Sequence, residues 1–489
     1  MLQSLKTNLA KYPYYIVLIP LFFVWHGFAE NARLLHLKDV LLLASYYTVG
    51  ALILFLVCKL IFRDSRKAAL ICGICMIFYF FFGAIYDFLK ANSPSAFFYR
   101  YSVILSILTL LVITLAVIIK KSHRSNHNVF FYINLLLIIY LSVDTINIIR
   151  TINSHLQEKS SSIGKLSSTS RKPDIYLLIF DEYASSASLN RQYHFHNTVD
   201  SILTAQNFHL QAGSRANYNY TPFSMASLLN MEYLSLEKKS FTWDNYLSCI
   251  PRIRENKLIA FLEDNGYQFN NLSIFEVNSQ APFTQQSLLH LKTSVISENT
   301  LLSRLERDCA AVFKKTKVFA FLVRHRENYL QSGLRIMEEL KQISGSTSNV
   351  PRFVYAHLYM PHAPHYCDRS GKPFAADSKL SPQEQYLEYL SYTNTLIDTT
   401  VQAIQKNTHQ KAVIVVLGDH GYRTLSNNQE QFPNLNAVFY PAGIKSTLYD
   451  SITNVNLFRT ILNDLFQKNI ALLPDSTVFL KGPRADVAQ

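Results

Sequence analysis

At the end of one apolar run, Val413-Ile414-Val415-Val416-Leu417-Gly418-Asp419-His420-Gly421, a carboxylate and an imidazole stand side by side. Such a pair suits a divalent transition metal, zinc or manganese. Asp181 closes a second run, Ile175–Phe180, and can bring another carboxylate to the same cation. Glu182 follows and reads as a solvated neighbour, with a further ligand as the alternative. Thr221 opens Thr221-Pro222-Phe223-Ser224, ahead of the helical stretch Met225–Leu229. Thr before Pro is an ordinary helix start. The same position sets a hydroxyl at the positive end of a helix dipole, where a nearby metal would make it a nucleophile. Spacing alone leaves both readings open. His357-Leu-Tyr-Met-Pro-His362-Ala-Pro-His365 adds three imidazoles around a Pro-rich turn. They suit binding of an anion, proton transfer to a leaving group, or a second metal.

Each of these residues needs an element to hold it. Val413–Leu417 is apolar and mostly β-branched, the pattern of a strand buried on both faces of a parallel sheet. Ile175–Phe180 reads likewise, and Phe208–Gln211, Tyr267–Asn270, Phe353–Tyr359 and Ala437–Tyr440 are further extended segments. Helical patterns fall between them at Asn197–Gln206, Leu258–Asn265 and Pro382–Gln405. This alternation predicts an α/β sandwich with a mainly parallel central sheet. Ligands in such sheets sit beyond the C-terminal strand ends. Asp181, Asp419 and His420 fall there.

The chain of 489 residues is long enough for two domains, and its 49% hydrophobic content is concentrated in the first third. Five apolar runs, Tyr12–Phe28, Val40–Phe62, Ala68–Phe88, Tyr101–Ile119 and Val129–Ile149, approach the roughly 20 residues of a membrane-crossing helix. The first, with no small-residue cleavage site after it, reads as a retained anchor. Lys6, Lys11, Arg63, Arg66, Lys67, Lys120, Lys121 and Arg124 fall on one side of an alternating topology, which makes that side cytoplasmic. The expected organisation is a five-helix transmembrane domain over 1–152, a Ser-rich linker over 153–171 and an extracytoplasmic domain over 172–489. That places a multi-pass protein in the cytoplasmic (inner) membrane. Asp144, near the end of the fifth run, reads as reaching the interface. A net charge of +13 suits anionic headgroups; no motif points to nucleic acid. Cys72 and Cys75 read as helix packing, and Cys249, Cys309 and Cys367 permit at most one disulfide.

Together these segments resemble the alkaline phosphatase and sulfatase superfamily, in particular its membrane-anchored phosphoethanolamine transferases and lipoteichoic acid synthases. Pro173–Asp181 resembles the opening strand with the first acidic ligand. Thr221-Pro-Phe-Ser224 resembles the transferases' Thr-x-x-Ser, His357 to His362 their His segment, and Gly418-Asp-His-Gly421 the Gly-Asp-His-Gly metal motif. Glu388–Asp398 is similar to the helix that precedes that motif. The resemblance implies a metal held by Asp181, Thr221, Asp419 and His420, with Thr221 as nucleophile. It implies His362 as proton donor or anion clamp, and His357 and His365 at the substrate. The implied reaction moves a phospho-headgroup from a phospholipid donor to an envelope glycan or lipid acceptor. The rival is a hydrolase of the same superfamily, a phosphodiesterase, phosphatase or sulfuric ester hydrolase; a tethered inactive binding domain is a weaker one. Thr221-Pro-Phe-Ser-Met lacks the Cys and Arg of sulfatases, Tyr422–Pro433 lacks the transferases' further His, and their disulfides are missing.

Overall fold

The computed structural model describes residues 2–93, 95–122, 127–158, 163–166, 171–236, 239–284, 293–308, 328–375, 377–423 and 428–482. The chain forms two compact units, residues 1–160 with 291–325 and residues 161–290 with 326–489.

In the helical unit, Leu37–Phe62, Tyr101–Lys121 and His127–Ile152 are long and apolar enough to cross a membrane. Ser65–Phe80 and Phe82–Asn92 are bent by 56° and add a fourth span if taken together. The sequence led us to expect five. The first run falls short because Pro13 separates it from the preceding helix Leu2–Lys11. Its helix, Tyr15–Glu30, has 16 residues, about 24 Å against a hydrocarbon layer of about 30 Å. The last long helix runs on to Glu158, so the expected linker begins later than residue 153; most of its Ser-rich stretch lies outside the described residues. The stretch 291–325, expected within the second domain, groups with the helices. There Gly83 N–H donates to Asn299 O at 2.8 Å, and the Arg304 guanidinium forks onto Asp87.

The second unit is built on six strands: β1 Ile175–Phe180, β2 His209–Leu210, β3 Gln268–Leu272, β4 Arg352–Leu358, β5 Val413–Gly418 and β6 Asn436–Phe439. Their order is β2-β6-β5-β1-β4-β3. β3, β4, β1 and β5 run parallel, and β6 is antiparallel to β5 and to β2. β1, β4 and β5 are buried along their whole length, as the apolar runs Ile175–Phe180 and Val413–Leu417 require. Ile175, Leu177 and Ile179 face one core with Phe353, Tyr355, Val413, Val415 and Leu417, under helices Thr221–Asn230, Lys257–Asp264 and Asn454–Phe466. Tyr176, Leu178 and Phe180 face the other, under Tyr329–Gly345 and Pro382–Asn407. The expected α/β class with a mainly parallel sheet is the observed one. Cys249 and Cys367 are buried free thiols, and Cys309 lies outside the described residues.

Candidate metal and nucleophile site

Strand register brings the acidic residues together. Phe180 pairs with Leu358 on one side and Gly418 on the other, so Asp181 and Asp419 leave adjacent strands at the same level. Side chains alternate across a sheet, and both residues continue the row of Ile179 and Leu417. His357 lies on that face too, opposite Ile179. One ligand atom each from Asp181, His357 and Asp419 lie within 4.8 Å of one another, and all three residues are buried. The sequence placed His357 at the substrate; the structure sets it among the carboxylates, its Nε2 3.5 Å from Asp181 Oδ2.

Local structure aims each donor. Glu182 adopts a left-handed backbone, φ 62°, and so turns its N–H onto Asp419 Oδ1 at 2.8 Å. His420 N–H donates to the same oxygen at 2.9 Å. Asp419 Oδ2 is left facing the cluster. His420 Nδ1 donates to Gly421 O at 2.8 Å, so its Nε2 lone pair points inward, 3.3 Å from Asp419 Oδ2. His357 Nδ1 is 3.0 Å from the Tyr355 hydroxyl, which frees Nε2 in the same way. A Cβ on Gly418 would lie 2.4 Å from Tyr183 O, so only glycine lets the two strand ends approach.

Thr221 does not cap its helix. It is the first residue of the helix Thr221–Asn230, whose N-terminus carries no side-chain cap bond. Its Oγ1 lies 3.2 Å from His420 Nε2 and 3.4 Å from either oxygen of Asp181. Ser224, one turn on, donates its hydroxyl to Asp419 O at 2.6 Å and ties the helix to β5. The hydroxyl faces the cluster rather than its own backbone.

The cluster fits a divalent cation. Among the described residues, Asp419 Oδ2 and His357 Nε2 are buried with no hydrogen-bond partner, a condition that costs about 1–3 kcal/mol per group. Burial and the neighbouring Asp419 charge push the Asp181 carboxyl well above its usual range. Burial holds His357 neutral, down at about 4, the form in which imidazole ligates metals. Two carboxylates and two imidazoles are a donor set for zinc or manganese.

A second group of charges lies beside this one, and the sequence reading missed it. Glu182 is buried, not solvated. Arg423 donates to Glu182 Oε1 from its backbone N–H at 2.8 Å and from Nε at 3.2 Å, and its guanidinium lies 5.2 Å over the Tyr220 ring. Its Nη2 donates to His362 Nε2, which makes that nitrogen an acceptor, while His362 Nδ1 bonds Ala363 O. Burial alone would raise the Glu182 carboxyl; the Arg423 charge, with His362 and His420, overrides it and holds it at about 2. The Arg423 side chain is 28% exposed and that of His362 13%, whereas Asp419 and His420 are fully buried. This is the open side of the site. His365 packs against Tyr386 and Tyr389, ring centroids 5.9 and 6.2 Å away. Burial lowers it to about 4, and no bond links it to the cluster among the described residues. Arg423 follows the Asp-His pair by three residues; only its position marked it.

The sequence model of the family described as Sulfatase matches residues 196–466. The chain belongs to the sulfatase family. No curated protein matches it in sequence. Among solved structures, this sulfatase-family chain is similar to the periplasmic domain of EptC from Escherichia coli in complex with zinc, with 11% identity over 62% of this chain and 87% of that one, TM-score 0.39. It is also similar to the periplasmic domain of the phosphoethanolamine transferase EptC from Campylobacter jejuni, 11% identical over 64% and 98%, TM-score 0.38. A third is the phosphonate monoester hydrolase of Agrobacterium radiobacter, 12% identical over 60% and 74%, TM-score 0.37.

Proposed function

We propose that this sulfatase-family protein is a membrane-anchored, metal-dependent transferase that moves a phospho-headgroup from a phospholipid to an envelope glycan or lipid through a phospho-threonine at Thr221. The carrying observation is the Thr221 hydroxyl, which makes no cap bond and lies within 3.4 Å of Asp181 and His420. Asp181, His357, Asp419 and His420 are the residues that would hold one divalent ion. When bound, that ion acidifies the neighbouring hydroxyl and screens the charge of the ester oxygens.

Thr221 Oγ attacks phosphorus, and its proton passes to an Asp181 oxygen. The new Oγ–P bond replaces the bond to diacylglycerol oxygen, which leaves protonated. Arg423, held in place by Glu182, meets the anionic oxygens with a fixed planar fork. His362 enters the first half protonated at Nε2, with Arg423 turned from that nitrogen to the phosphate oxygens, and gives this proton to the departing oxygen; in the second half it accepts one at Nε2 from the acceptor hydroxyl, as reversibility requires. The acceptor oxygen then takes phosphorus and frees Thr221. Anchoring in the cytoplasmic membrane by several helices, with the catalytic unit outside, keeps donor and acceptor at the enzyme.

Family membership favours one second reading, in which water replaces the acceptor and the protein is a hydrolase. Formylglycine-based sulfate ester cleavage is excluded at this nucleophile, because threonine is not a precursor of that aldehyde. Intact-mass analysis after incubation with phosphatidylethanolamine and phosphatidylglycerol vesicles tests the proposal. A headgroup-sized adduct on Thr221, passed to an added acceptor, supports transfer. Release of free headgroup phosphate regardless of acceptor supports hydrolysis.

A further inference from the structure

We propose that the helical unit holds one acyl chain of a membrane lipid in a cavity between helices Leu37–Phe62, Ser65–Phe80 and Tyr101–Lys121. The cavity measures about 540 Å³, within the roughly 300–1,000 Å³ of ligand sites. Leu54, Met76, Phe80, Leu105, Leu108 and Val112 form its walls.

Gly50 is the second, independent observation. It lies mid-helix on the cavity wall, where glycine costs about 0.5–1 kcal/mol relative to alanine. A Cβ added there meets nothing within 4 Å. Gly73, in the same unit, contrasts with it, since a Cβ there would lie 2.9 Å from the Tyr15 ring. Gly73 permits close packing; the missing side chain of Gly50 only enlarges the cavity.

The walls select the occupant. Leu37–Phe62 and Tyr101–Lys121 have membrane-spanning length and composition, so the medium at the opening is hydrocarbon. A void there forfeits dispersion contacts, and a lipid chain already in the bilayer restores them without leaving water. One end is polar. The hydroxyl-bearing rings of Tyr47 and Tyr79 line the cavity near Thr300, and Leu301, the next residue, lines it too. An amphiphile with an ester at that end fits better than plain hydrocarbon. Thr300 and Leu301 belong to the stretch of chain between β3 and β4, and β4 carries His357. Assigning the chain to the headgroup donor rests on the transferase reading; the cavity's occupancy does not.

The test is photolabelling of the full-length protein in vesicles with phosphatidylethanolamine or phosphatidylglycerol carrying a diazirine on one acyl chain. Adducts are expected to concentrate on residues 46–54, 75–82 and 105–113, and Gly50→Phe to reduce them at least tenfold. Thr221→Ala is expected to leave labelling intact, which separates failure of the cavity from failure of the transferase. Preference for the lipid whose headgroup is found on Thr221 supports a donor site, and equal labelling by both supports a chain site shared by resident lipids. Adducts spread evenly over the outward helix faces overturn the proposal, as does labelling unchanged by Gly50→Phe. If that variant does not fold, Ile113→Trp, at a lining position 55% exposed, fills the cavity from the opposite wall with the same outcomes.

Discussion

Asp181 and Glu182 are neighbours in the chain and carry the same functional group, yet their surroundings drive them apart. Asp181 faces a second carboxylate in a buried pocket, and its charge is penalised. Glu182, turned away by its left-handed backbone, faces Arg423, and its charge is held down to about 2. One peptide unit therefore separates a region short of positive charge, which a cation completes, from a region that brings its own. In the transferase reading proposed above, the first prepares the nucleophile, and the second meets the anion and fixes where it lies.

Substitutions that act on one region alone break this comparison most sharply. Thr221→Ala is expected to lower turnover by about 10⁴–10⁶ with bound metal unchanged, measured by headgroup transfer alongside elemental analysis. Arg423→Gln, in the second region, is expected to cost about 10²–10³ in turnover, again with full metal content; Arg423→Lys recovers only part, because it lacks the planar fork. If Arg423→Gln instead empties the metal site, the two regions are not separable. Tyr355→Phe removes the partner of His357 Nδ1 and is expected to weaken metal affinity about 10–100-fold, read by competition with a chelating dye.

The smallest effect is a trend with pH in the chelated protein. Asp181 has a folded-state pKa raised above its unfolded value of about 3.9. The folded state then binds more protons at this group, so its contribution to stability falls as pH rises from about 4. Glu182 is depressed and works in the opposite sense, its contribution lost only as pH falls toward about 2. His357 and His365, held down at about 4, gain stability over the same range, so the Asp181 contribution is read as a difference: the melting temperature of stripped protein minus that of stripped Asp181→Asn should fall between mildly acidic and neutral pH.

Most of the first region was legible in the sequence. Asp181 and Asp419 each follow a run of buried β-branched and aliphatic residues, and strand ends are where such sheets place ligands. His357 reads from sequence only as one of three imidazoles at a strand end. Its membership of the row Phe353, Tyr355, His357 becomes informative only once register sets it opposite Ile179. Arg423 and Glu182 form a contact 241 residues apart in sequence, and no local pattern announces such a pair. The helical unit shows the converse. Five apolar runs were plain, but Pro13 and the bend at Phe81 are local geometry that hydropathy does not report.

The central claim is that Asp181, His357, Asp419 and His420 form one metal site beside Thr221. Titration of stripped, full-length protein with zinc, followed by calorimetry and elemental analysis, tests it most directly. One equivalent per chain, lost in Asp419→Asn and retained in Thr221→Ala, is the predicted result. Binding that survives Asp419→Asn, or no stoichiometric binding in the unaltered protein, would contradict it.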